Sequence, residues 1–264
     1  MSTGVGDTSY EFLEVTTKIG CPVNCLKYCP QEVTTSRYSG KRTLSIDDWE
    51  IILDHIPKKL PLVFSGFCEP FANNKVIDLI DMAQKAGHPT SIFTTLYQAS
   101  RADVEKLVKY PFLVFCLHLP DGNAMKIPLS QEYKDNVFTV LYNVRNVSFA
   151  IMNDNFRSLN RENVTRGILT KRKRFKLCVK LSHPQFNLLP NGNVSLCCMD
   201  FGLDHTLGNL LTENYEDVKR RFLAHKRTFE LCSQCRYNVS PLRALVDSLN
   251  RKAEKLGIPG PSSW

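Results

Sequence analysis

YEFLEVTTKIGCPVNCLKYCP, residues 10–30, is a strand-like run that leads into a cysteine loop. Residues 10–17 mix apolar, aromatic and β-branched side chains in the manner of a strand, and Gly20, Pro22 and Pro30 break the chain around three cysteines. Outward from this stretch, strand and helix patterns alternate. Ser45, with Asp48 three positions on, reads as an N-cap with a capping-box variant, and Trp49, Ile52, Leu53 and Ile56 recur at helical spacing. Then come a strand at 62–65, a helix at 75–86 stopped by Gly87, a strand at 91–95 and a helix from Ser100 to about residue 109. A strand at 113–119, a helix at 131–144, a strand at 147–152, a weaker helix at 160–169 and a strand at 175–181 complete the series. Such alternation implies parallel strands joined by right-handed crossovers, and the segment is short of the ~250 residues of a complete eight-unit barrel. The expected class is α/β: a partial (β/α)6 TIM-like barrel over residues 1–175.

Beyond residue 181 the periodicity changes. Residues 186–190, the turn Asn191-Gly192 and residues 194–198 read as a hairpin, followed by helices at 215–226 and 241–255. A small C-terminal α+β domain at 176–256 and a loose tail at 257–264 are therefore expected.

The chain has 264 residues, is 43% hydrophobic and 23% charged, and so has the composition of a globular protein; no run approaches the ~20 apolar residues of a membrane span. Without a signal-peptide pattern, the expected location is cytoplasmic, where ten cysteines stay reduced and serve chemistry other than disulfides. Lys and Arg exceed Asp and Glu by 34 to 26, with one dense run at Lys171-Arg172-Lys173-Arg174. Two thiolate-bound iron–sulfur clusters would lower the formal +8 to about +5, which weakens the case for nucleic acid.

Cys21, Cys25 and Cys29 stand at Cys-x3-Cys-x3-Cys and bring three thiolates to one small loop, whereas structural zinc normally takes four closed ligands. Held by three thiolates, a 4Fe-4S cluster keeps one iron open for a reactant. Ser65-Gly66-Phe67-Cys68-Glu69-Pro70 follows the second strand, where a glycine permits close backbone approach and a carboxylate can receive an ammonium group. Cys178, Cys197, Cys232 and Cys235 make a second group of four thiols, enough to close a zinc site or a cluster. Cys68 and Cys116 sit singly in apolar surroundings, as core cysteines do.

With these motifs the chain resembles the radical S-adenosylmethionine (SAM) enzymes. Their partial barrel carries a three-cysteine loop after its first strand, usually Cys-x3-Cys-x2-Cys with an aromatic residue before the last Cys, a place matched here by Tyr28. Their Gly-Gly-Glu-Pro segment, which binds the methionine amino group, is similar to residues 66–70, with Glu69 as the matching acid and Phe67-Cys68 in place of one glycine. The resemblance implies SAM contacts at Tyr28, Ser65, Gly66 and Glu69, with Thr94 and Thr95 in the place where polar residues contact the ribose. Residues 188–201 and Leu207-Gly208-Asn209-Leu210 look like the SPASM auxiliary-cluster extension, and the lack of further cysteines favours its shortened twitch form with one auxiliary 4Fe-4S cluster, leaving Cys198 over.

What this implies is a radical SAM oxidoreductase that cleaves SAM to a 5′-deoxyadenosyl radical and takes a hydrogen atom from a small polar substrate such as a sugar, cyclitol or nucleotide derivative. It would be supplied with electrons by a flavodoxin- or ferredoxin-like donor. Asp200 and His118 are the candidate substrate-side acid or base groups, with His183 a further polar residue of that kind. Peptide-modifying members commonly carry a leader-binding domain before the barrel, and the first strand here begins near Tyr10, so a ribosomal peptide is the less expected substrate. Two alternatives stay open: a radical SAM enzyme of peptide or RNA, and a non-catalytic zinc protein that holds nucleic acid.

Overall fold

The computed structural model describes residues 10–23, 25, 29–123, 125–152, 183–225 and 231–232. Five strands, β1 (Phe12–Val15), β2 (Leu62–Phe64), β3 (Thr90–Thr94), β4 (Phe112–Pro120) and β5 (Val147–Met152), lie side by side in chain order, all parallel. Helices α2 (Ile46–His55), α3 (Val76–Lys85), α4 (Arg101–Leu107) and α5 (Gln131–Asn143) form the crossovers. The expected helix at 160–169, the strand at 175–181, the helix at 241–255 and the tail lie outside the described residues.

The hairpin expected after residue 186 is present as β6 (Gln185–Leu188) and β7 (Asn193–Ser195), followed by β8 (Thr206–Asn209) and α6 (Tyr215–His225). β6 pairs in parallel with β1, so one eight-stranded sheet runs β5-β4-β3-β2-β1-β6-β7-β8, and it does not close among the described residues. The chain thus forms a mixed α/β partial barrel whose C-terminal hairpin extends the barrel sheet.

Register explains which face the helices cover. Val15 lies between Phe64 and Leu188, and Leu13 between Leu62 and Phe186, so these side chains share one face and all are fully buried. Trp49 and Ile52 of α2, Leu79 and Ile80 of α3 and Val218 and Phe222 of α6 close over that face as one core. Trp49 meets Phe64 edge-on at 6.0 Å and donates its indole N–H to the Leu79 carbonyl at 2.9 Å, which satisfies its only polar atom. The opposite face, the inner wall of a partial barrel, is mixed, with polar groups among apolar ones: Glu14 stands beside Val63 and Asn187, and Cys116 beside Phe93 and Ser148. Among the described residues no helix is long and apolar enough to cross a membrane.

Side-chain caps start the helices. Ser45 accepts from the Asp48 N–H at 3.2 Å, Ser100 forms a full capping box with Asp103, and Ser130 accepts from the Tyr133 N–H at 3.1 Å. The short helix α1 (Gln31–Arg37) was not evident from apolar periodicity, since Thr34 is its only buried residue. Its signals are weak: Pro30 before it, whose ring fixes φ, and the charges of Glu32 in the first turn and Arg37 in the last.

The exit from β2 is sterically dictated. Gly66 has φ +89°, and a Cβ there would lie 2.1 Å from Thr16 Oγ1 and 2.9 Å from Asn187 Nδ2. Thr16 cannot give way cheaply, because its hydroxyl donates to Asn187 Oδ1 at 2.7 Å and accepts the Phe67 N–H at 3.1 Å. Gly66→Ala is therefore expected to destabilise the protein by about 2 kcal/mol or more, read from its urea unfolding midpoint; a change within about 0.5 kcal/mol would contradict this contact.

Candidate functional site

Because β1, β2 and β3 are parallel neighbours, their C-terminal ends deliver three loops to one place: the cysteine loop after β1, residues 65–70 after β2 and Thr94-Thr95 after β3. Glu69 is at the centre and is 5% exposed. Its Oε2 accepts from the Thr95 N–H at 2.8 Å and the Thr95 hydroxyl at 2.7 Å, while Oε1 accepts from the Thr94 hydroxyl and from the Phe71 N–H at 3.4 Å. Burial pushes the carboxyl pKa up, and the bonds from Thr94 and Thr95 oppose that rise. The structure thus joins Glu69, Thr94 and Thr95 into one unit. Ser65 is half-buried and donates its backbone N–H to the Val15 carbonyl at 3.3 Å.

The cysteine loop is tied to this acid. The Glu69 N–H donates to Cys21 Sγ at 3.3 Å. The Cys68 thiol also hydrogen-bonds Cys21, drawing the Cys21 pKa below the ordinary thiol value and, with burial, driving that of Cys68 up. Cys68 is buried as the sequence suggested, but its contact with Cys21 was not evident from it. Cys116 is fully buried. The loop folds back on itself through Cys25 N–H to Val23 carbonyl and Cys29 N–H to Cys25 carbonyl, each 3.2 Å, leaving Cys21, Cys25 and Cys29 half-buried against the core. Tyr28 lies outside the described residues.

A residue absent from the sequence reading, Gln31, makes three contacts here. Its Oε1 accepts from the Cys21 N–H at 3.4 Å, and its Nε2 donates to the Phe67 carbonyl at 2.6 Å and to Cys29 Sγ at 3.1 Å. Its only sequence signal is adjacency to the loop.

The C-terminal segment rests on the same region. Phe201 packs against Phe67 with ring centroids 4.6 Å apart and planes tilted by 57°, its carbonyl accepts from the Thr34 hydroxyl at 2.8 Å, and Arg37 pairs with Asp204 at 2.9 Å. Cys197 and Cys198 are half-buried, and Cys232, at 9% exposure, packs in the main core that Cys197 also touches. Cys178 and Cys235 lie outside the described residues. Among the described residues no group of three or more His, Cys, Asp or Glu side chains is arranged to hold a metal ion. The donor chemistry still suits a cluster: soft thiols, two of whose sulfurs accept N–H bonds as thiolate ligands do.

Asp200 and His118 stand apart from Glu69 in their surroundings. Asp200 is 0% exposed; its Oδ1 accepts from the Asp204 N–H at 3.2 Å and meets His205 Nδ1 at 3.1 Å, and its Oδ2 accepts from the His205 N–H at 3.1 Å. That carboxylate ties the 200–205 turn. His118 lies half-buried on β4, edge-on to Phe93 at 6.1 Å, and His183 is exposed.

Comparison with known proteins agrees with this geometry. Residues 178–236 match the SPASM family, an iron–sulfur cluster-binding domain. Among solved structures, BtrN in complex with AdoMet and 2-DOIA superposes with TM-score 0.62 at 16% identity, covering 86% of this chain and 93% of that one. anSMEcpe with bound AdoMet gives 0.55 at 11%, covering 92% and 97%, and SuiB of Streptococcus suis bound to the precursor peptide SuiA gives 0.52 at 14%, covering 96% and 76%. No curated protein matches the chain in sequence. With its partial barrel superposing on those of radical SAM enzymes and its C-terminal cysteines inside a recognised cluster-binding domain, the chain has the radical SAM fold with a C-terminal SPASM iron–sulfur domain.

Proposed function

We propose that this chain is a radical SAM oxidoreductase that acts on a small polar substrate, such as a sugar, cyclitol or nucleotide derivative. The observation that carries the reading is Glu69: a buried carboxylate gripped by Thr94 and Thr95, whose own N–H touches the sulfur of Cys21. In this reading Cys21, Cys25 and Cys29 hold a 4Fe-4S cluster, and Cys178, Cys197, Cys232 and Cys235 hold the auxiliary one. When bound, SAM and the first cluster supply a 5′-deoxyadenosyl radical for hydrogen-atom abstraction and the auxiliary cluster an electron acceptor; that chemistry is the cofactors' own.

The polypeptide supplies binding, orientation and a dry site. Glu69 receives the ammonium of the SAM methionine, a cation that compensates a carboxylate already removed from water. Thr94 and Thr95 fix its two oxygens, so the ligand meets a carboxylate in one orientation. The Glu69 N–H on Cys21 links the position of that acid to the cysteine loop. Phe67 and Phe201, both fully buried, seal the loop on the side of the C-terminal segment. A flavodoxin- or ferredoxin-like protein donates the electron, in a reducing compartment such as the cytoplasm.

The small-molecule reading is supported by likeness to BtrN, whose complex holds 2-DOIA and 93% of whose chain is covered. A peptide substrate is the second reading, favoured by likeness to SuiB bound to precursor peptide SuiA and to anSMEcpe bound to a peptide. Deuterium carried from labelled cyclitols or sugars into 5′-deoxyadenosine would support the first reading; transfer from peptides alone would replace it with the second.

Two further outcomes are expected of anaerobically reconstituted protein. Glu69→Gln should weaken SAM binding about 10-fold to 100-fold in equilibrium dialysis, the loss of one charged hydrogen bond in a buried site; an unchanged Kd would remove Glu69 from the SAM site. Cys25→Ala should abolish 5′-deoxyadenosine formation, whereas Cys232→Ala should retain part of it while forming no product. Zinc in both cysteine groups of a colourless wild-type protein would sink the proposal.

A further inference from the structure

We propose that Gln31 is a positioning residue that braces the three-cysteine loop and sets the reduction potential of the cluster it holds. This rests on the reading that Cys21, Cys25 and Cys29 are cluster ligands. The orientation of the Gln31 amide is settled by its partners: Phe67 offers a carbonyl, which only the amide nitrogen can satisfy, and Cys21 offers an N–H, which only the amide oxygen can accept. The same nitrogen has a second hydrogen, and it is aimed at Cys29 Sγ at 3.1 Å.

One side chain thus connects the first cysteine of the loop, the third cysteine and the turn after β2 that leads through Cys68 into Glu69. Gln31 is the first residue of α1, and that helix is anchored in turn by the Thr34 hydroxyl on the Phe201 carbonyl at 2.8 Å and by Arg37 on Asp204 at 2.9 Å. The loop is therefore braced against the SPASM segment as well as the barrel. An N–H donated to a ligand sulfur draws electron density from it and makes the attached cluster easier to reduce, and hydrogen bonds to sulfur are among the established determinants of cluster potential.

The test compares full-length reconstituted wild type with Gln31→Met, which keeps length without hydrogen bonds, and with Gln31→Glu, which keeps an acceptor for Cys21 and replaces the donors by a second oxygen. The readout is the midpoint potential of the cluster whose electron paramagnetic resonance signal shifts when SAM is added, together with the rate at which a chelator strips its iron. Gln31→Met should lower the potential and speed stripping about tenfold, and Gln31→Glu should lower the potential further, because its carboxylate faces the sulfur. Failure of a variant to load the loop while its circular dichroism is unchanged also supports the proposal. Variants with wild-type iron content, potential and stripping rate overturn it and leave the cluster reading intact. A wild-type chain whose iron content is unaltered by Cys21→Ala, Cys25→Ala and Cys29→Ala overturns both.

Discussion

Burial of one carboxylate organises the site. A carboxyl group removed from water must find hydrogen-bond partners, and Glu69 finds them in the two threonines that end β3 and in the backbone of its own turn. Those bonds hold the β2 and β3 loops in register, and the Glu69 N–H on Cys21 adds the β1 loop. The arrangement follows from strand order, since only with β1, β2 and β3 adjacent and parallel do three loops far apart in sequence end at one point.

Much of this could be read from residue order. The alternating strands and helices, the serine caps at 45 and 100 and the Asn-Gly hairpin all depend on local pattern or on the repeating crossover, and both leave marks in sequence. Contacts set by long-range geometry left none. Residues 31–37 carry only weak helix signals, and the helix takes support from Phe201 and Asp204 more than 160 positions away. Gly66 was noticed for a reason different from the one the fold supplies: the proximity of Thr16 and Asn187 accounts for it before any ligand is considered. Asp200 is a candidate acid or base by residue type alone, and the hydrogen bonds its oxygens accept from the turn that follows it left no mark in sequence.

The face of the sheet turned away from the helices carries polar groups as well as apolar ones. Glu14, which accepts from Asn187 Nδ2 at 3.0 Å, shares it with Cys116 and with His118, two residues further along β4. Fully covered parallel strands ordinarily carry apolar side chains on both faces, so a wall of this polarity marks a surface shaped for something other than packing.

The placement of β6 has a bearing on modularity. Since it borders β1 in the middle of the sheet, the two cysteine-bearing parts of the chain share a strand ladder and are not beads on a string. Severing them would bare a row of unpaired peptide groups beside the very loop that carries Cys21, an edge prone to stray pairing. The ladder also joins residues 173 positions apart, so it can form only after β6 has been made. Neither half can then be exchanged as a cassette.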